Sequence, residues 1–342
     1  MKTLIPLTAI AALAASGLSS AQTTAYSKPS GYITLGNADG SAATPDVPAN
    51  TDVTVSVPFE RASEVSGKIT GRSGSVLSFA NAGLTNNSLV SSTTPYQITI
   101  TSGAQAGLIG VISANTSTSV TVGSVIVGDI NGIETNGTAS FSISKAWTLG
   151  TFFPTNLPAG TNVLAFSGTV AGPNLAPNEG YVYSGSAWFQ TLGTGGNGSH
   201  TMIFPGESMI LRSSVAIDSL VVTGSVPTVV SKTVVSKLSA SQAQDTRIAF
   251  NVSTDQPIEN LTGVQAGDSL LAFNNAAAGK NKSPNEILVY SGSAWFGTTG
   301  VTGPQNGLYK LKAGQGYILR RPSTAPVGNT TISLVPNYAG SL

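Results

Sequence analysis

The chain contains no cysteine. That excludes a disulfide framework, a thiol nucleophile, a thiolate zinc site and lipid attachment at a cysteine. Histidine is nearly absent as well: His200 is the only one, so a histidine-based metal site fails on ligand count. Charge is scarce, with charged residues at 9% and a net charge of +1, against an average charged fraction of roughly 25%. No basic surface is available to seek phosphate, so nucleic acid is not an expected partner. Past the N-terminal run no stretch is long and apolar enough to be a transmembrane helix. Solubility rests on Ser, Thr, Asn and Gly, and so weakly charged a surface repels its own copies poorly, which favours assembly.

The first residues read as an export signal. One basic residue, Lys2, precedes an apolar, alanine-rich run to about Ala15, and Ser19-Ser20-Ala21 places small residues before Gln22. This is the layout of a signal peptide over 1–21, and it implies an extracytoplasmic location: periplasm, outer surface or medium.

The strongest signal is a stretch written twice. Residues 176–189 read A-P-N-E-G-Y-V-Y-S-G-S-A-W-F and residues 283–296 read S-P-N-E-I-L-V-Y-S-G-S-A-W-F, with Pro177 matching Pro284 at a shift of 107 (284 − 177). Upstream, Leu164-Ala-Phe166 matches Leu271-Ala-Phe273, and downstream Ile210-Leu-Arg212 matches Ile318-Leu-Arg320. Self-similarity of this kind decides the architecture before anything else. In each copy a β-branched and aromatic run ending in Tyr is followed by Ser-Gly-Ser and then Ala-Trp-Phe, the pattern of a hairpin whose glycine supplies positive φ. No helical periodicity of useful length occurs.

The N-terminal third does not repeat this pattern. Gly31-Tyr-Ile-Thr-Leu35, the alternating Asp52-Val-Thr-Val-Ser-Val57, and further short runs to Ala139-Ser-Phe-Ser-Ile143 read as strands separated by turn signals, which predicts a small sandwich or barrel. The expected fold is therefore all-β: an N-terminal sandwich or barrel-like domain over 22–145, then two homologous β units over 146–230 and 231–342.

Several chemistries can be weighed. His200 sits in a Gly-rich loop with no Gly-x-Ser-x-Gly elbow, so a catalytic triad is not expected. Gly193-Thr-Gly195-Gly196-Asn-Gly198 matches G-x-G-x-x-G by letter but joins two β segments, without the helix that a dinucleotide fingerprint needs. Asp129, Asn131 and Glu134 place oxygens at near-alternate positions and form a candidate calcium site, although Asn131-Gly132 alone explains a turn. Glu179 and Glu286 hold matching places in the two copies, so duplication accounts for the pair. The aromatics are the best binding candidates: Tyr183, Trp188, Tyr290 and Trp295 are the residues of a sugar-stacking platform, against the plainer reading that they anchor two cores. Sequence neighbours alternate across a strand, so at least one ring of each Trp-Phe pair is expected inside. No cofactor is expected.

The chain also resembles a known family. Asp52-Val-Thr-Val-Ser-Val-Pro-Phe59, Ile100-Thr-Ser-Gly-Ala-Gln-Ala-Gly107 with Ile112-Ser-Ala-Asn-Thr116, Trp147-Thr-Leu-Gly-Thr-Phe-Phe-Pro154, Ala266-Gly-Asp-Ser-Leu-Leu-Ala-Phe273 and Gly314-Gln-Gly-Tyr-Ile-Leu-Arg320 look like the elements of an uncharacterised secreted family. That family is expanded as paralogues in Verrucomicrobia and related bacteria. The first copy departs from its pattern, with Thr161 where Asp268 stands and Ser208 where Gly316 stands. The resemblance implies an exported β-rich protein and brings no catalytic residues. The expected role is a non-catalytic scaffold or adhesion component whose partners are its own copies, the cell envelope or glycans. A carbohydrate-binding protein is the alternative and a hydrolase the remote one.

Overall fold

The structure, a computed structural model, describes residues 28–37, 44–80, 82–166 and 168–339. The expected signal peptide, 1–21, lies outside the described residues. The fold is all-β, with a six-stranded closed barrel, two six-stranded sheets and smaller ribbons. Among the described residues no helix is long and apolar enough to cross a membrane.

The two larger sheets share one topology. In the first, the order runs Gly196–Asn197, Trp188–Leu192, Glu179–Tyr183, Asn162–Ala165, Ser208–Ser213, Thr51–Ser56. In the second it runs Gly303–Pro304, Trp295–Thr299, Glu286–Tyr290, Ser269–Ala272, Tyr317–Arg321, Gln244–Ile248. Every pairing within both sheets is antiparallel. The expected hairpins are present: Tyr183 stands opposite Trp188 and Tyr290 opposite Trp295. Their turns use Gly185 at φ 99° and Gly292 at φ 104°, a region that glycine enters without a Cβ clash. The hydroxyls of Ser184 and Ser291 each accept the backbone N–H three residues on, at 3.1 Å.

The N-terminal division differs from the expected one. Strand Thr51–Ser56 pairs with Ser208–Ser213, and Ser30–Thr34 pairs with Val221–Ser225. Leu35, Val53, Val55 and Phe59 are buried in one core with Val163, Trp188 and Leu211. The first unit therefore includes Ser30–Thr34 and Thr51–Ser56, and the boundary expected at 145 marks only the far end of an insertion. That insertion is the barrel, Ser63–Ser73 to Ser140–Lys145, closed in the order Ser63–Ser73, Val76–Phe79, Ser119–Val127, Ile109–Asn115, Tyr96–Ile100, Ser140–Lys145. It has its own core, including Ile69, Leu77, Ile98 and Phe141. Ser63 pairs with Ser144, so the barrel enters and leaves through neighbouring strands. Trp147 closes the junction by donating its indole N–H to the Phe59 carbonyl at 2.9 Å. The sequence pattern hid this arrangement because the insertion separates the first unit's opening strands from the rest of their sheet.

The second unit carries a third core, in which Val235, Ile248, Leu270, Leu288, Trp295 and Leu319 are packed together. Its Asp268 and Arg321, 0% and 1% exposed at the side chain, form a buried ion pair at 3.6 Å. In the first unit those positions hold neutral Thr161 and Ser213, which bond locally to the Pro158 carbonyl and the Val215 N–H. The acid and the base are thus present together or absent together. A lone buried charge would be far costlier than a pair.

Candidate functional site

The two units meet through the edges of their matching sheets. An edge strand presents unpaired N–H and C=O groups that must be covered. Strand Thr51–Ser56 is covered by the second unit: Asp52 N donates to Gly279 O at 2.9 Å and Ser56 N to Gly314 O at 2.9 Å. Thr54 N donates to the side-chain oxygen of Asn275 at 2.9 Å. Strand Gln244–Ile248 is covered by the first unit, with Asp245 N on Gly172 O at 3.1 Å and Ala249 N on Gly206 O at 3.2 Å. Gly172 and Gly206 hold in the first copy the places that Gly279 and Gly314 hold in the second. Each unit therefore caps the other through the same loops.

A carboxylate fastens each half. Asp52 receives Arg212 Nε at 2.6 Å and Nη2 at 3.0 Å, and its second oxygen also accepts the Asn281 N–H at 2.7 Å. Asp245 receives Arg320 Nε at 2.7 Å and Nη2 at 2.9 Å, and the Asn174 N–H at 2.8 Å. Asn174 and Asn281 hold φ of 54° and 52°, a left-handed geometry that asparagine tolerates better than most residues. Burial alone would lift the Asp52 pKa. The hydrogen bonds and charge of Arg212 and the Asn281 N–H outweigh it and hold that carboxyl below its ordinary value. Close approach also explains the Ser208/Gly316 difference, because a Cβ on Gly316 would lie 1.9 Å from the Ser208 hydroxyl oxygen.

Between the two sheets, with Ile126 and Val127 of the barrel at one side, lies a cavity of about 990 Å³. Strand alternation builds it. Val163, Leu211 and Val53 face the first core, so Leu164, Ile210 and Thr54 face outward, and their counterparts Leu271, Ile318 and Arg247 face back across the gap. The walls are mainly apolar, but four cations reach them: Arg212, which Asp52 already holds, and Lys232, Arg247 and Lys282.

Arg247 crosses from the second unit to lie over the Phe166 ring of the first, 3.7 Å from its centroid. Its Nη1 is buried with no hydrogen-bond partner among the described residues. Leaving such a donor unsatisfied costs on the order of 1–3 kcal/mol. Burial lowers the Arg247 pKa to about 10, with Asp245 and Asp52 pulling it back up. Burial also lowers Lys232, and no neighbouring carboxylate offsets the shift. Lys282 is lowered by burial and partly restored by Asp52, and it donates to the Asn274 and Ala277 carbonyls at 2.6 and 2.9 Å. Of the carboxylates on the walls, Asp52 and Asp245 are already held as described. Glu207 is pushed up by burial, against an opposing hydrogen bond from the Phe204 N–H at 3.0 Å. The uncompensated charge in the cavity is positive.

The sequence-derived candidates lie elsewhere. Trp188 and Trp295 are 2% and 1% exposed, so both are core anchors and no platform for a ligand. Each packs on its hairpin tyrosine with the same tilted geometry, 5.3 Å and 46° for Tyr183, 5.2 Å and 47° for Tyr290. Tyr183 is buried and donates to the Thr155 carbonyl at 2.8 Å, and Tyr290 is half-buried against the second core. The outward rings are Phe189 and Phe296. The three calcium candidates each have protein partners of their own. Asp129 accepts the Asn131 N–H at 2.9 Å, Asn131 accepts from Arg72 at 3.1 Å, and Glu134 accepts the Ala104 N–H at 2.9 Å. An arginine at Asn131 opposes a second cation there. Among the described residues no group of three or more His, Asp or Glu is placed to hold a metal ion. His200 is exposed on its loop. Glu179 and Glu286 each accept a tyrosine hydroxyl, from Tyr181 at 2.6 Å and Tyr309 at 2.9 Å, in separate units.

Sequence reasoning passed over Arg247, Lys232 and Phe166. The one available signal was the correspondence of Asp52-Val-Thr54 with Asp245-Thr-Arg247, which would have shown an arginine standing where the first copy has threonine. Compared with known proteins, the chain matches no family model, no curated protein and no solved structure.

Proposed function

We propose that the protein is an exported, non-catalytic β scaffold that acts at the cell surface or envelope, built by duplication of one β unit with a barrel inserted into the first copy. The observation that carries this reading is the mutual capping of the two edge strands. Each unit supplies hydrogen-bond partners for the other's edge strand, so the two are joined by direct contacts and not by the connecting chain alone. Joined tandem β units with weakly charged surfaces suit a spacer or adhesion role. Tyr32 and Leu308, 76% and 74% exposed, supply outward apolar contacts for copies or envelope components. The secreted family that the chain resembles fits the same role.

Size-exclusion chromatography with light scattering, electron microscopy and envelope fractionation test it. Self-association or retention on the envelope is the expected result. A strict monomer at high concentration that is wholly released to the medium would refute the role. The glycan-platform alternative loses its two tryptophans, which are in the cores.

A further inference from the structure

We infer that the cavity between the two units is a binding site for a small amphiphilic anion, one carboxylate or phosphate group on an apolar body, with Arg247 as its main anion contact. This goes beyond the scaffold role and does not depend on it. A volume of about 990 Å³ is at the upper end of small-molecule pockets, which run roughly 300–1,000 Å³. Its apolar walls, Leu164 and Ile210 facing Leu271 and Ile318, suit a hydrocarbon or aromatic body.

Charge sets the other half of the specificity. Asp52 and Asp245 each already hold an arginine bidentately and a backbone N–H, and they act on Arg247 through space without a hydrogen bond. Arg247 has a buried Nη1 that no described residue accepts from. Stacking on Phe166 fixes the guanidinium plane in advance, which reduces the ordering cost of binding. Lys232 and Lys282 add positive charge on the same walls.

The first unit has no cation at the place that matches Arg247. At the matching place the first unit has Thr54, whose strand is covered by hydrogen bonds to Asn275 and needs no cation. An arginine half-buried over Phe166 on the cavity wall, where the first unit has threonine, is placed to meet the anionic group of a ligand.

The test is isothermal titration calorimetry of the full-length protein with decanoate, decyl phosphate and decanol at fixed ionic strength. One equivalent of decanoate or decyl phosphate is expected to bind at least tenfold more tightly than decanol, weakening as salt is raised. The preferred anion identifies the head group as carboxylate or phosphate. R247M is expected to weaken the anion tenfold or more while leaving the melting temperature unchanged or higher. L164W, which fills the cavity from a half-buried position, is expected to abolish binding with the circular dichroism spectrum retained. Absence of binding by both anions, equal binding of decanol, or an unchanged anion affinity in folded R247M would each overturn the assignment.

Discussion

Asp52 and Asp245 occupy matching places in the two units, and each accepts a backbone N–H from the opposite unit's loop, Asn281 at 2.7 Å and Asn174 at 2.8 Å. The relationship is that of an isologous interface, in which one patch meets its own copy, written here within a single chain. It predicts that the two clamps share one interface energy. D52N and D245N are each expected to cost about 2 kcal/mol, because each weakens charge-assisted hydrogen bonds. The double variant is expected to cost less than the sum, since the first loss already loosens the shared interface. Urea unfolding of the three variants measures this, and strict additivity would show that the clamps act independently.

Acid should act through the same carboxylate. The Asp52 pKa is held below its ordinary value by Arg212 and Asn281 in spite of burial. A depressed folded-state pKa gives stability that is present above the unfolded value and lost as pH falls through the folded one. Stability is therefore expected to decline below about pH 4, and D52N should show a shallower acid limb than the wild type in a pH series of melts. An identical slope would remove Asp52 from the account of acid sensitivity.

How much of this was legible in the sequence differs by element. The hairpins were readable because Ser-Gly-Ser between Tyr and Trp encodes turn and strand locally. The burial of one ring in each Trp-Phe pair was readable too, since alternation is a property of any strand. The membership of Thr51–Ser56 in the first unit was not, because its partner Ser208–Ser213 lies beyond the inserted barrel. Arg247 was hidden for the same reason. Its outward position is legible only once Gln244–Ile248 is matched to Thr51–Ser56, and the cavity exists only where two distant sheets are brought face to face.

The tryptophans give a direct readout of that core placement. Trp188 and Trp295 are buried, while Trp147 is half-buried under the Arg61 side chain, 5.2 Å from its ring centroid. Emission from variants that retain only Trp188 or only Trp295 is expected to be blue-shifted and protected from iodide. W188A is expected to cost about 3–5 kcal/mol. F189A, on the outer face of the same strand, should cost well under half of that. Quenchable emission from Trp188 would restore the ligand-platform reading.

The tyrosines make the opposite pH prediction to Asp52. Burial, reinforced by the Glu179 carboxylate, raises the Tyr181 pKa to about 12. A raised folded-state pKa gives stability that is present below the unfolded value, about 10, and lost as pH climbs through the folded one. Spectrophotometric titration at alkaline pH should therefore show a late phenolate fraction centred near pH 12, and Y181F should remove part of it. A single early transition for every tyrosine would contradict the buried setting.

The ion pair of Asp268 and Arg321 should behave as a unit. R321M leaves a buried carboxylate without its partner and is expected to cost about 3–5 kcal/mol. Adding D268T, the residue that the first unit uses at this place, should recover at least half of that loss. Unfolding free energies of the single and double variants close the cycle. A double variant as unstable as R321M would mean that the arginine's packing, and not its charge, is what the core needs.

The barrel should be removable. Its first and last strands are neighbours, with Ser63 opposite Ser144, so the chain ends left by excising 63–144 lie close together. Its core is separate from that of the first unit, and the Trp147 bond to the Phe59 carbonyl survives the cut. A chain with a short Gly-Ser bridge in place of the barrel is expected to melt cooperatively and to keep the near-ultraviolet signature of Trp188 and Trp295. Because Ile126 and Val127 form one side of the cavity, the same chain should bind decanoate more weakly than the wild type. An excised chain that fails to fold would instead make the barrel a necessary part of the first unit, since the Thr51–Ser56 strand would then need it to find its place in the sheet.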